Sequence, residues 1–372
     1  MEWKEYSLGD ISKLKYGKNV SAKLCKGPVP IFSGYRKIGT CNTINCKKNT
    51  VIVIARGVGG CGDVKLTKED CFLTNLSISV ELDKGICNAK WFYYNHLLNN
   101  LSFLNSGSAQ PQITIDSLSK YLIRIPPIII QRKIAGILSA LDAKIENNNK
   151  INGNLEAQAQ ALFKSWFVDF TPFKDQPFVD SELGPIPQGW KVGTLGDIAN
   201  IIMGQSPAGS SYNERGNGVI FYQGRTEFGF RFPNVRLYTT MPKRYAEPMS
   251  ILLSVRAPVG DINVAIEKCC IGRGLASISS KRGLHSFLLY LVKSLKNRLE
   301  VFNGEGTVFG SINKNTLTQF KIIIPPIEMQ EKFNEIIQRH DCMVLELHKE
   351  IINLSTQRDT LLPKLMSGEI KL

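Results

Sequence analysis

The sequence predicts an α+β fold in which two mixed α/β domains are joined by two long antiparallel helices that form a coiled coil. Two observations predict this pseudo-twofold architecture. The residue pattern of segment 107–131 recurs in segment 306–330, at an offset of 199 residues. The pattern of segment 3–11 likewise recurs in segment 190–198, at an offset of 187 residues. After a Pro-Pro pair in each copy, the apolar residues take up a heptad spacing. A repeat of this length is typical of a duplicated domain and not of a solenoid unit.

The two domains are predicted over residues 1–126 and 190–325. Each contains an apolar, β-branched run, 51–55 and 250–255, that is typical of a buried strand. An arginine, Arg56 or Arg256, and a glycine-bearing turn follow each run. Residues 57–62 match the glycine spacing of a dinucleotide-binding loop, but a strand pattern follows where that loop needs a helix. We therefore expect a hairpin loop that presents the arginine.

Helical spacers are predicted over residues 127–170 and 326–372, because apolar positions alternate in steps of four and three over about four heptads. Proline is tolerated at the start of a helix, so Pro127 and Pro326 mark the two starts. The apolar seam consists of Ile134, Leu138, Leu141, Ile145, Leu155 and Leu162 in one helix and Phe333, Ile337, Val344, Leu347, Ile351, Leu354 and Leu361 in the other. We expect the two helices to pair with each other, and parallel homodimerisation of each is the competing arrangement.

Polar residues interrupt both seams and are expected to fix the register of the helices. They are Asn148 and Asn152 in the first helix and His340 and Arg358 in the second. Between the two copies, residues 171–189 contain four prolines and several turn formers. This composition predicts an extended linker and not a packed element.

The positive charge lies in the two domains and not in the helices. The net charge of +14 divides into +8 for residues 1–126, +7 for 171–325, +1 for 127–170 and −2 for 326–372. Basic surfaces attract polyanions through counterion release, so two basic domains favour nucleic acid as the partner over a generically basic protein.

Several other classes of protein are disfavoured. The sequence has no apolar run long enough for a transmembrane helix and no signal peptide, so we expect a cytoplasmic protein. The nine cysteines lack zinc-type spacing, which favours reduced thiols and no metal site. The familiar phosphate-binding, metalloprotease and serine hydrolase motifs are absent, which points away from catalysis.

The order of the short motifs resembles the specificity subunit of a type I restriction–modification system along the whole chain. The motifs lie at 107–131, 162–167, 183–190, 203–207 with 212–213, 256–261 and 361–368. The resemblance implies two target recognition domains that each grip one half of a bipartite, asymmetric double-stranded DNA target. It implies that the helices act as a ruler and dock two modification subunits, which hold S-adenosylmethionine, while restriction subunits join to cleave. This chain would then bind no cofactor of its own and would catalyse nothing.

The candidate DNA-binding residues lie in turns and carry guanidinium, amide, ammonium or hydroxyl groups, which suit phosphates and base edges. They are Arg36, Lys37, Arg56, Gln110 and Gln112 in the first domain and Gln205, Ser206, Arg225, Arg256 and Ser311 in the second. Alternatively, Arg56 and Arg256 brace their own turns. Two other functions stay open at this point: an enzyme acting on nucleic acid with an unrecognised active site, and a coiled-coil adaptor with two protein-binding domains.

Overall fold

The computed structural model describes residues 3–20, 26–34, 36–57, 60–106, 111–303 and 310–372. It contains two compact units, one formed by Met1–Asn149 with His348–Leu372 and the other by Lys150–Leu347. Both boundaries fall inside the long helices, whereas the sequence placed the domain boundaries at the helix starts. Each unit therefore consists of a stretch of both long helices and a globular part outside them, which we call its lobe. The predicted fold class is confirmed.

The described residues of the first unit form nine strands in three small sheets. The strands are β1 (Lys4–Ser7), β2 (Ser12–Tyr16), β3 (Val29–Ser33), β4 (Arg36–Cys41), β5 (Val51–Ile54), β6 (Val64–Leu66), β7 (Phe72–Leu73), β8 (Ser77–Leu82) and β9 (Leu122–Ile125). Two short helices accompany them, α1 (Ala89–Leu98) and α2 (Ile115–Ser119), with a 3-10 turn at Leu101–Leu104. The sheet orders are β2-β8-β5-β6, β4-β3-β7 and β1-β9. All pairs are antiparallel except β3 with β7.

The long helices α3 (Ile128–Phe167) and α8 (Ile327–Ser367) begin directly after the two Pro-Pro pairs. A glutamine in the first turn of each ties the helix to the strand before it. Gln131 is fully buried, and its Nε2 donates to the carbonyl of Pro126 at 2.8 Å. Gln330 makes the same bond to Pro325 at 2.8 Å. The same hydrogen bond is therefore found at the start of both helices, at positions 199 residues apart in the sequence.

The second unit repeats this plan with more strands. They are β10 (Phe178–Val179), β11 (Ile186–Pro187), β12 (Lys191–Thr194), β13 (Ala199–Met203), β14 (Tyr212–Asn213), β15 (Val219–Tyr222), β16 (Leu237–Thr239), β17 (Tyr245–Ala246), β18 (Ile251–Ser254), β19 (Ile262–Val264), β20 (Cys269–Ile271), β21 (Leu275–Ser280) and β22 (Lys321–Ile324). The short helices are α4 (Leu195–Ile198), α5 (His285–Ser294), α6 (Lys296–Glu300) and α7 (Lys314–Thr318). The sheet orders are β13-β21-β18-β19, β14-β16-β15-β20-β17, β12-β22 and β10-β11.

The two long helices pair antiparallel within the chain. In the first unit, Ile134 and Leu138 of α3 share one core with Leu362 and Leu365 of α8. In the second unit, Phe163 near the end of α3 meets Phe333 near the start of α8, with ring centroids 5.4 Å apart. Every predicted seam residue is buried or half-buried. In each unit, the two helices therefore share an apolar core.

Two of the four predicted polar seam residues, Asn148 and Arg358, bond to the opposite helix. Nδ2 of the fully buried Asn148 donates to Oε2 of Glu350 at 2.7 Å. The Arg358 guanidinium donates to Oδ1 of Asp142 at 2.9 Å. Because each bond requires one pairing of the two helices, these residues help to specify the register.

The prediction of an extended linker over 171–189 is wrong. This segment forms a 3-10 turn at Thr171–Phe173 and the β10–β11 hairpin. The rings of Phe173 and Trp190 pack 5.2 Å apart, and Ile186 is buried in the same core. The prolines restrict the chain, but the aromatic and aliphatic residues between them supply enough apolar surface to pack against the second unit.

Candidate nucleic-acid interface

In the first unit, Arg56 leaves the end of a buried strand and lies beside Gln112. The four residues of β5 are all buried, so the chain reaches the surface only after Ala55. There the backbone of Arg56 forms an isolated bridge with Gln112. The N–H of Ile113 donates to the carbonyl of Ala55 at 2.8 Å and closes this junction. Arg56 is exposed and Gln112 is half-buried at this surface.

The second unit builds the same junction with Arg256 and Ser311. Their backbones form the equivalent isolated bridge. The N–H of Ile312 donates to the carbonyl of Val255 at 3.1 Å. Both residues of the bridge are exposed. The two units therefore present an arginine in the same backbone frame, next to an amide in one case and a hydroxyl in the other.

The two bridge arginines, Arg56 and Arg256, are both exposed. Within the part of the chain that the structure describes, neither guanidinium bonds to another side chain.

Arg36 and Lys37 open strand β4 directly after the turn at Gly34 and are exposed. Gly34 has a φ of +61°, a conformation that favours glycine. A Cβ added to it would lie 3.9 Å from Cγ2 of Ile54, the last residue of β5. The β3–β4 turn therefore approaches the strand that leads to Arg56. Gln110, the remaining predicted residue of this lobe, lies outside the described residues.

Four turns of the second unit meet in what we call the second-unit loop cluster, formed by residues 204–206, 223–225, 255–257 and 272–274. Backbone bonds join them: Gln205 N–H to Ile271 carbonyl (2.9 Å), Gly272 N–H to Tyr222 carbonyl (2.8 Å) and Val255 N–H to Gly274 carbonyl (2.9 Å). The cluster thus brings together Gln205, Ser206, Arg225 and Arg256, which the sequence singled out separately.

Arg225 is held in place by an ion pair. Its guanidinium contacts the carboxylate of Asp261, which also lies 3.8 Å from Nζ of Lys296. The Arg225 side chain is still 48% exposed. It is therefore oriented in advance but keeps donors that face solvent, since a guanidinium carries five N–H groups.

Arg273 is a member of the cluster that the sequence analysis missed. It lies between Gly272 and Gly274 directly before β21, it is exposed, and its N–H donates to Oγ of Ser206 at 3.3 Å. A Gly-Arg-Gly triplet before a strand was the signal that could have identified it. Such a triplet lets the backbone approach its neighbours closely while it presents one cation.

Lys18 is a second missed residue, and the repeat identifies it. A Cβ at Gly204 would overlap the carbonyl oxygen of Gly272, and a Cβ at Gly17 would overlap that of Thr74. These two glycines are 187 residues apart, like residues 3–11 and 190–198. The exposed Lys18 follows Gly17 as Gln205 follows Gly204. Extending the first repeat offset by a few residues would have found it.

The arrangement suits recognition of a polyanion that also presents hydrogen-bonding groups. Exposed arginines and lysines can contact phosphates, while the neighbouring amide and hydroxyl groups can distinguish base edges. In the described ranges, no group of three His, Cys, Asp or Glu side chains is placed to hold a metal ion. Within the same ranges, no helix combines the length and apolar character that a membrane span requires.

Comparison with known proteins gives a consistent result. A family model for the type I restriction modification DNA specificity domain matches residues 1–157 and 187–355. The MjaX specificity subunit of Methanocaldococcus jannaschii is 38% identical over 70% of this chain, which spans only 62% of that relative. The HindI specificity subunit of Haemophilus influenzae is 25% identical over 99% of this chain and 100% of its own length. A solved S subunit from M. genitalium shares the fold, with a TM-score of 0.68 at 22% identity over 98% of this chain and 96% of its own.

Proposed function

Because the chain belongs to the family of type I restriction–modification DNA specificity subunits, whose role is recognition and not catalysis, we propose that it reads a bipartite DNA target, one half-site with each unit. The observation that carries this proposal is the repeated bridge of Arg56 with Gln112 and Arg256 with Ser311. The backbone arrangement is the same in both units, but the residue beside the arginine differs. Two DNA-binding units that dock on DNA in the same orientation and select different bases require this combination.

In each lobe, cationic side chains would contact phosphates, and amide or hydroxyl side chains would contact bases. Arginine and lysine side chains at the rim, such as Lys37, Arg225 and Arg273, would neutralise phosphates and fix the position of the lobe. Gln112, Gln205 and Ser311 would donate to or accept from base edges in the major groove. Mutation of the first group is expected to weaken binding to all sequences, and mutation of the second to relax selectivity.

The proposal assigns the chemistry to partner subunits. Two modification subunits that hold S-adenosylmethionine would dock on the long helices, and restriction subunits would join them; this chain itself would bind no cofactor. Exposed apolar residues on these helices support a docking role, among them Ile129, which is 65% exposed, and Ile352, which is 53% exposed. A function on chromosomal DNA would place the complex in the cytoplasm.

The first experiment identifies the target. The chain is expressed with the modification subunits of the same system in a host without that system, and methylated positions in the genome are mapped by sequencing. We expect one split, asymmetric motif that disappears when this chain is omitted. A motif that persists without the chain would refute the proposal.

The second experiment tests the loop cluster with a matched pair of variants. Arg273→Ala removes a cation at the start of β21, and Arg282→Ala removes one just beyond its end. The two positions are about 20 Å or more apart, at about 3.3 Å per strand residue. We expect Arg273→Ala to weaken binding of the complex to the mapped motif by about 1–3 kcal/mol and to lower the salt dependence. Arg282→Ala should have little effect, and equal effects of the two would contradict the assignment.

A further inference from the structure

A buried cluster of charged and polar residues lies inside the second unit. It consists of Glu156 on α3, Asp341 on α8, Tyr290 and Lys293 on α5, and Arg231 on the loop between β15 and β16. We call it the buried charge cluster. The Arg231 side chain is only 4% exposed, so it cannot contact DNA from this position.

Arg231 joins three separate elements through one nitrogen. Its Nη2 lies 2.8 Å from Oε2 of Glu156, 2.9 Å from Oδ1 of Asp341 and 2.7 Å from Oη of Tyr290. Glu156 also contacts Nζ of Lys293. Because the guanidinium is rigid and planar, satisfying these partners together allows essentially one placement of the loop relative to the two helices.

Glu156 stays charged despite its burial. Burial raises the pKa of Glu156, but the positive charges of Arg231 and Lys293 outweigh it and hold that pKa below its usual value. Replacing a buried ion network by apolar residues of similar volume is often neutral or stabilising, which favours a role of this cluster in specifying geometry over a role in stability.

The loop that carries Arg231 also contains Arg225, and further hydrogen bonds hold it in place. The carbonyl of Arg231 accepts from the N–H of Val264 at 2.9 Å. Two residues earlier, the N–H of Gly229 donates to Oδ1 of Asn263 at 3.0 Å. The loop is therefore continuous with the second-unit loop cluster at one end and fixed to both long helices at Arg231.

The first unit has the equivalent tyrosine and aspartate but a different source of arginine. Tyr94 occupies the same place in α1 as Tyr290 in α5, and its Oη donates to Oδ2 of Asp142 at 2.6 Å. Asp142 precedes Asp341 by 199 residues. The arginine there is Arg358, which comes from α8. Among the described residues, the arginine bonded to this aspartate comes from a loop of the lobe in the second unit and from a long helix in the first.

We propose that Arg231 is a positioning residue for recognition by the second unit. By fixing its loop to both long helices, it holds Arg225 and the second-unit loop cluster in one orientation, and the discrimination between bases in one half-site depends on it. This inference rests on the proposed function and adds to it a residue that acts without touching DNA.

The test uses the methylation map described above, with the full chain expressed together with its modification subunits. We expect Arg231→Met to raise methylation about tenfold or more at sites that differ from the motif by one base in one half. This is the size of effect expected if the energetic penalty of one mismatched base pair is lost. The affected half should be the one at which Gln205→Ala relaxes selectivity, and Arg231→Lys should restore part of the discrimination. Arg358→Met, the matched control, should leave both halves of the motif unchanged.

The outcomes separate this inference from the proposed function. If the wild-type chain directs no motif, the proposed function fails. If it does and folded Arg231→Met keeps the same motif, or relaxes both halves equally, the role of Arg231 is refuted. Should Arg231→Met fail to fold, the triple variant Arg231→Met, Glu156→Gln, Asp341→Asn replaces it. Relaxation of one half in that variant supports the inference, whereas an unchanged motif, or failure of that variant also to fold, overturns it.

Discussion

Replacing Phe333 by alanine tests whether the two long helices pair within one chain. Phe333 is fully buried, and its ring centroid lies 5.3 Å from that of Phe167 and 5.4 Å from that of Phe163. Truncation of a buried phenylalanine costs about 3–5 kcal/mol through lost transfer energy and the cavity left behind. Because several edge-on aromatic contacts are lost together, we expect a value near the upper end, about 4–5 kcal/mol.

The measurement is urea unfolding of the full chain, followed by circular dichroism at the wavelength of helix absorption. The matched control is Phe230→Ala, the same change at a residue that is 63% exposed, which should alter the free energy of unfolding by about 0.5 kcal/mol or less. A double-mutant cycle with Phe163→Ala should give a coupling of about 0.5–1.5 kcal/mol, typical of an aromatic pair. A coupling near zero, or equal losses for Phe333 and Phe230, would refute the intrachain pairing.

Two further predictions concern stability. Burial lowers the pKa of His96 to about 4, and the bond between its Nδ1 and the Phe92 carbonyl partly opposes this shift. Because the unfolded histidine titrates near pH 6.5, the unfolded state binds the proton more tightly than the folded state does. The free energy of unfolding of the first unit should therefore fall by up to about 3 kcal/mol as the pH falls from about 6.5 to 4. Urea unfolding at pH 7 and 4.5 should show this loss, and His96→Gln should reduce it; an unchanged pH dependence would contradict the assignment. Gly204→Ala places a Cβ against the carbonyl of Gly272 and should destabilise the second unit by about 1–3 kcal/mol in the same assay. Gly209→Ala, whose Cβ meets nothing within 4 Å, is the control, and equal effects would argue against the close approach.

The sequence predicted the helices well because their signal is local and periodic. Alternating steps of four and three place every seam residue on one side of a helix, and the proline pairs mark where each helix starts. The strand followed by an arginine was equally readable. The apolar runs that end at Ala55 and Val255 are short, rich in β-branched or aliphatic residues and bounded by a turn, which is typical of a buried strand.

The linker and the buried charge cluster were not readable in the same way. Proline content describes the stiffness of residues 171–189, but whether Phe173 and Ile186 pack depends on a surface elsewhere in the chain. Likewise, an arginine among aromatic residues resembles a surface nucleic-acid contact, and Arg231 becomes a buried anchor only because Glu156 and Asp341 converge on it from distant segments. Contacts between segments that are distant in the chain produce no periodic pattern in the sequence.

The antiparallel pairing of α3 and α8 also sets an order of events during synthesis. Ile134 and Leu138 belong to the half of the chain that the ribosome makes first, yet their core includes Leu362 and Leu365. At about 5–20 residues per second, the early seam stays uncovered for on the order of ten seconds or more before its partner emerges. The unit that begins first is therefore the one that is completed last, and a chaperone or a partner subunit has that interval in which to cover it.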